Sequence, residues 1–321
     1  MADFLSLSGW LIVLLQGILF LLGAPLLAGW IRFVKARLQN RRGARIIQPL
    51  QDLYKLFGKE ALVAHTASLV FRAAPYVVFA SALVAVSLVP LLATNLPSAM
   101  AADMIVLVGL LALGRFFLAL AGMDVGSSFG GMGSSREMMV SALAEPAMLM
   151  AVFTLAMSAH STNLSSVVDF NLANGLILRP SFLFALLGLM LVAVAETGRI
   201  PVDNPATHLE LTMIHEAMIL EYSGRHLALM EWAAQLKLML YGVLIVNLFF
   251  PWGIATGDTA GALLMGLLAV TVKLLLLGVV VAVMETVLAK MRLFRVPQYL
   301  NLAFLLTLLG LFSHIILETG T

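Results

Sequence analysis

Long apolar runs separated by short polar stretches dominate the chain. About 20 mostly apolar residues are enough for a helix to cross a lipid bilayer. Eight such runs stand at roughly 9–31, 74–95, 104–123, 138–158, 181–198, 232–252, 262–288 and 299–317. They predict an all-α integral membrane protein: one membrane domain, 1–321, with about eight transmembrane helices. The fifth run is the shortest, and its end merges into a polar stretch. Pro25, Pro75, Pro90 and Pro146 fall in or near the runs, where neighbouring helices can satisfy the backbone groups a proline frees.

Basic residues orient these spans. The loops predicted at 32–73, 124–137, 199–231 and 289–298 hold Arg32, Lys35, Arg37, Arg41, Arg42, Arg45, Lys55, Lys59, Arg72, Arg136, Arg199, Arg225, Lys290, Arg292 and Arg295. The alternate loops hold only Arg179. The excess of Lys and Arg marks the cytoplasmic side. The expected location is therefore the cell's inner (cytoplasmic) membrane, crossed several times, with both termini on the outer side. The same asymmetry accounts for the basic run "RFVKARLQNRRGAR", which otherwise suggests nucleic-acid binding. Arg41 and Arg42 remain free to touch lipid headgroups or an acidic partner surface.

Composition agrees. The 321 residues are 61% hydrophobic and 11% charged, against about 45–50% and 25% in soluble domains. With no cysteine, the chain supplies no thiolate to an iron–sulfur cluster or a nickel–iron centre. Any redox centre then belongs to partner subunits. The opening "MADFLSLSGW" has no basic residue and is unlike a cleavable signal peptide.

Six charges fall inside or at the ends of spans: Arg115, Glu145, Glu196, Lys237, Lys273 and Glu285. A lone charge at the bilayer centre costs roughly 2.5–3.5 kcal/mol on insertion scales. Such groups should face the bundle interior and find partners there. Lys273 and Glu285 are too far apart along one helix to pair, so each needs a partner on another span. The set reads either as static ion pairs or as a chain of groups that carries charge.

The stretch "ETGRIPVDNPATHLELTMIHEAMILEYSG", Glu196 to Gly224, gathers five carboxylates, two histidines and an arginine. Asn204-Pro205 is a helix start signal and Gly224 a stop. They predict a cytoplasmic helix over 205–222 between spans 5 and 6, after a non-helical elbow at "GRIPVDN". On that helix His208, Thr212, His215 and Ile219 share one side, and Glu210, Ala217 and Glu221 the other. Glu216 lies near Thr212. Two polar faces suit a helix set in protein or an aqueous cleft. "HEAMI" is not a zinc-protease motif, because Ile219 stands where the second histidine belongs. His208 and His215 are about 10 Å apart along the helix, too far for one metal. No metal site is expected.

This stretch resembles the E-T-x-R-x-P-x-D…E…E-Y-S signature of a membrane subunit family. It is shared by respiratory complex I (subunit 1, or H) and the formate hydrogenlyase-type, group 4 membrane-bound nickel–iron hydrogenases. "NRRGARIIQPLQDLYKLFGKE" at 40–60 resembles the family's basic loop. "GRFFLALAGMDVGSSFGGMGSSREMM" at 114–139 and the "EP" at 145–146 resemble the hydrogenase branch. The resemblance covers nearly the whole chain. Complex I usually has acids where Ala206 and His208 stand, the loop here is about three residues longer before Glu221, and Ala44 replaces a usual proline. These departures favour the hydrogenase side over a quinone chamber.

The resemblance implies a membrane anchor and coupling subunit with no redox centre of its own, linking a peripheral redox arm to proton or sodium translocation. Glu196, Arg199, Asp203, Glu210 and Glu221 match the family's signature. Together with the charges read above, Glu145, His215, Glu216, Lys237, Lys273 and Glu285, they are the expected ion-coupling residues. The resemblance also implies a redox-arm interface at Arg41, Arg42, Gln48, Asp52, Lys55, Arg136 and Pro201. The implied partners are hydrogenase-like large and small subunits, an iron–sulfur subunit and antiporter-like membrane subunits. Those partners would carry Fe–S clusters, with a Ni–Fe centre or a quinone as further cofactors of the complex. The other readings are a quinone-chamber subunit of a complex I-like oxidoreductase and a stand-alone ion transporter. Against the transporter stands the lack of repeat symmetry between the halves.

Overall fold

In lipid every backbone polar group needs a partner within the chain, and runs rich in Leu, Val and Ala meet that demand as helices. The computed structural model describes residues 7–94, 96–174, 179–204, 213–255 and 259–318. Its helices are α1 (Leu7–Leu38), α2 (Gln48–Phe57), α3 (Leu69–Leu88), α4 (Met104–Asp124), α5 (Ser128–Ala159), α6 (Leu164–Asn174), α7 (Pro180–Glu196), α8 (His215–Ile219), α9 (Gly224–Phe249), α10 (Ala260–Val287) and α11 (Val296–Ser313). Among the described residues, seven helical segments are long and apolar enough to cross a membrane: α1, α3, α4, α5, α9, α10 and a segment around α11, Leu293–Leu317. The predicted fifth span is α7, apolar between Ser181 and Glu196 but only 17 residues long.

The central post is α9. Of the residues in its most apolar stretch 78% are buried, against 28% in α10. Around it pack α3, α1, α7 and α10, while α11 lies on α7 and α5. The close approach of α7 and α11 depends on glycine. A side chain at Gly188 would run into Thr307 and the Ala303 carbonyl, and one at Gly310 into the Ser181 carbonyl. On its outer face α10 shows Leu264, Leu268, Val272, Leu276 and Val280 at steps of four, all exposed. That stripe suits contact with lipid tails.

Three sequence expectations change. Much of the loop expected at 124–137 is helix, because α5 begins at Ser128. Ser127 caps it, its hydroxyl accepting from the Gly130 amide. The small residues that read as a loop are there for packing: Gly130 meets the Gly122 carbonyl of α4, and Gly133 meets Ala217 and the Ile214 carbonyl. Of the helix expected over 205–222, only His215–Ile219 is helical in the described part, residues 205–212 lying outside it. It cannot extend back through Ile214, whose amide is taken by the Asp203 carboxylate at 3.1 Å. Gly224 opens α9 instead of closing a helix. It takes φ +52°, and a side chain there would strike the Glu60 carbonyl.

Candidate functional site

Four helices converge on one buried ion cluster. Arg115 of α4 donates from Nη1 to Glu196 Oε1 of α7 at 2.5 Å. Its Nη2 lies 3.3 Å from Glu145 Oε1 of α5. Lys237 Nζ of α9 reaches Glu196 Oε2 at 2.8 Å. The Arg115 and Glu196 side chains are 3% and 1% exposed. Ser141, one turn before Glu145, donates to it at 2.7 Å. Burial of this depth is tolerable only because each charge meets an opposite one.

The elbow after α7 forms a second network. Arg199 Nη1 and Lys35 Nζ grip Glu285 of α10, at 2.6 Å on Oε1 and 2.7 Å on Oε2. This joins α1, the elbow and α10. Asp203 is 2% exposed and anchors α8. Its Oδ2 accepts from the Ile214 and His215 amides, its Oδ1 from the Asn204 amide and from Lys290 Nζ at 3.0 Å. The Met291 amide donates to the Pro201 carbonyl at 2.9 Å. Among the described residues the loop after α10 is therefore bonded to the elbow both by a side chain and by the backbone.

Three cavities surround these networks. A small chamber of about 80 Å³ holds Arg115, Glu137, Glu196 and Lys237 in its wall. A cleft of about 510 Å³ is lined by Arg32, Arg41, Arg42, Glu216, Glu231 and Glu285 among others. Both share Thr197, Gly198, Asp203, His215 and Ala234. A third cavity, about 260 Å³, is almost wholly apolar and lies among α1, α7, α9, α10 and α11, with Arg199 at one end.

Lys273 stands apart. Its ammonium donates to Asn247 Oδ1 at 3.2 Å and to the Phe250 and Trp252 carbonyls at 2.9 and 3.1 Å. It also lies 5.1 Å from the centre of the Trp252 ring. Among the described residues it has no acidic partner. Twelve positions along α10 separate it from Glu285, about 18 Å of helix.

The remaining expected residues divide. Glu210 and His208 lie outside the described residues. Glu221 is exposed, but its neighbour Tyr222 is buried, stacked on Phe71 at 4.0 Å and bonded to the Phe71 carbonyl. Burial pushes the Tyr222 phenol upward. Burial also pushes the Glu216 carboxyl above the ordinary glutamate range, with His215 pulling the other way. Arg41, Arg42 and Lys55 are exposed, and Gln48 is bonded to Asp52 along α2. Arg136 donates to the Met213 carbonyl, holding α5 to the segment before α8. Pro201, expected at the arm interface, is buried. Among the described residues no group of three metal-binding side chains comes together.

Glu137, Lys35 and Lys290 were not read as site residues from the sequence. Glu137 fell in an expected loop and the lysines among orienting charges. A signal existed for the first: Glu137, Ser141 and Glu145 recur at steps of four, one polar stripe along α5.

The family model described as NADH dehydrogenase matches residues 10–317. Formate hydrogenlyase subunit 4 of Escherichia coli (strain K12) is 34% identical over 89% of this chain and 92% of its own length. Hydrogenase-4 component C of the same organism is 36% identical, over 94% and 96%. An NADH-quinone oxidoreductase subunit of Salinibacter ruber is 28% identical over 72% and 69%. The fold matches a chain of the membrane-bound sulfane sulfur reductase, an archaeal respiratory membrane complex. The TM-score is 0.82 at 19% identity, covering 95% of this chain and 99% of that one.

Proposed function

From the premise that this chain belongs to the NADH dehydrogenase family, we propose that it is the membrane anchor and coupling subunit of a hydrogenase-type oxidoreductase. Its task is to link a peripheral redox arm to proton or sodium translocation. One observation carries this reading: the Arg115–Glu145–Glu196–Lys237 cluster spans four helices and is joined through the elbow wall to the open cleft. A charge change at the arm alters the field on the elbow. The elbow holds Glu285 through Arg199 and α8 through Asp203. Shifting either network moves the balance of the buried pairs, whose protonation depends on their neighbours. The redox centres belong to partner subunits, hydrogenase-like large and small subunits and an iron–sulfur subunit. The moved ion passes to antiporter-like membrane subunits.

A second reading, a quinone-chamber subunit, is favoured by the apolar cavity, which suits an isoprenoid tail. Its polar groups argue the other way. The Thr197 hydroxyl is committed to the Ala193 carbonyl, the Tyr241 hydroxyl to Met148 Sδ, and Arg199 is held by Glu285, so each of these polar groups is already engaged within the chain.

The deciding measurement is metal, cofactor and subunit content of the gently solubilised native complex. Nickel, iron and a hydrogenase-like large subunit support the leading reading. Iron–sulfur clusters without nickel, and bound quinone, support the second. In assembled complexes, Glu196→Gln and Lys237→Met should abolish ion transport while leaving electron transfer to a soluble acceptor. Transport at the native rate in both variants would sink the coupling role.

A further inference from the structure

The chamber and the cleft share a wall made from Thr197, Gly198, Asp203, His215 and Ala234. Gly198 and Ala234 carry no exchangeable side-chain proton. The Thr197 hydroxyl is spent on the Ala193 carbonyl. Asp203 uses both oxygens on Lys290 and three backbone amides. Only the imidazole of His215 is left uncommitted. Its Nε2 is fully buried and has no hydrogen-bond partner among the described residues. Imidazole gains and loses protons near neutral pH and has two nitrogens to do it with.

We propose that His215 carries protons between the cleft and the buried chamber. This rests on the coupling role above and names the entry point for it. One ring nitrogen takes a proton from water in the cleft, and the other releases one to the chamber side. The ring ends neutral, as it began, and exchange of tautomers or a ring flip resets it. The acceptor is Glu137 of α5, which lines the chamber. Among the described residues it forms no ion pair, unlike Glu196 and Glu145.

The charged groups facing the imidazole fit this role. On the chamber side they are Glu137 from α5, Arg115 from α4, Glu196 from α7 and Lys237 from α9. On the cleft side they are Glu216 on the same helix, Glu231 from α9, Glu285 from α10, Arg199 from the elbow, Arg32 and Lys35 from α1, and Arg41 and Arg42 just after it. Asp203 of the elbow lines both. Arg136 is turned to the Met213 carbonyl. The backbone of His215 is pinned by Asp203, and through it by Lys290. The ring therefore sits in a wall that the loop after α10 can shift.

The test needs no electron donor. In the solubilised native complex, a rapid drop in pH is followed by time-resolved infrared absorption of carboxylic acids, with the Glu137 band identified by its loss in Glu137→Gln. His215→Gln keeps hydrogen bonding but carries no proton, and should slow the rise of that band on the order of a hundredfold. His215→Ala should be equally slow, and added imidazole should restore it. A native rate in His215→Gln overturns the proposal. So does a slow His215→Ala that imidazole does not rescue, because the residue is then structural. No Glu137 band in the native complex overturns it as well. If neither variant assembles, native complex with isotope-labelled histidine decides: a ring signal must accompany the Glu137 band, and its absence refutes the relay. Failure here with transport still lost in Glu196→Gln removes the relay alone; unaffected transport in Glu196→Gln removes the coupling reading instead.

Discussion

Arg115 of α4 and Glu196 of α7 meet at 2.5 Å in a place where their side chains are 3% and 1% exposed. A charge that loses its partner at such depth is not solvated by water. Breaking a buried pair from one side costs about 3–5 kcal/mol. Arg115→Met should therefore lower the thermal midpoint in detergent sharply. Glu196 still holds Lys237 at 2.8 Å, so Glu196→Gln adds its own cost. The loss in the double variant should nonetheless fall short of the two single losses summed, because one broken pair is counted in both. Losses that simply add would mean that the pair does not govern stability here.

Glu285 receives two cations, Lys35 and Arg199. Glu285→Ala leaves both facing one another and removes the one carboxylate that links α1, the elbow and α10. Lys35→Ala still leaves Arg199 on Glu285. Because Lys35 is 23% exposed, its contribution is to be discounted towards the surface range of about 0–1 kcal/mol. Limited proteolysis should show the elbow cut faster in Glu285→Ala than in Lys35→Ala. Equal rates would contradict the bridging role.

The carboxyl of Glu216 is raised by burial. The folded protein thus binds this proton more tightly than the unfolded chain does. Its effect on stability is absent below the ordinary glutamate value, grows as a penalty as pH rises to the raised value, and is constant above that. Glu216→Gln removes the penalty. Unfolding followed across pH should show the variant more stable than the native protein at neutral pH and equal to it in acid. A variant less stable at neutral pH would show that the ionised form is held by a partner.

Lys273 ties the end of α9 to the following loop through two carbonyls and Asn247. Lys273→Met leaves those oxygens without their donor, at about 1–3 kcal/mol for a buried group left unsatisfied. Unfolding should begin earlier, and tryptophan emission should report Trp252 losing its cation. If ion transport in the assembled complex also fails at unchanged expression, Lys273 belongs to the conducting route as well as to the clamp.

The sequence alone determined the membrane class, the approximate spans and the family. Each rests on local or additive properties: run length, the absence of cysteine, the sum of basic residues per loop, and fixed spacings such as that from Glu196 to Asp203. It also marked most of the charges that matter, since a charge in an apolar run is conspicuous wherever its partner lies. Only the tertiary structure decided the pairing. Glu285 could not choose Lys35 and Arg199 until α1 and the elbow lay beside α10, and Lys273 found its partners in Asn247 and two backbone carbonyls. Tertiary contacts also drew "GSSFGGMGSSR" mostly into helix, because its small residues let α5 close on α4 and α8. They confined the described helix of the 213–222 segment to one short piece, because Asp203, far back in the chain, takes the amides that would have continued it. His215 shows the difference most plainly. Its type was legible in the sequence, but its position between two cavities is a property of the packed walls on either side.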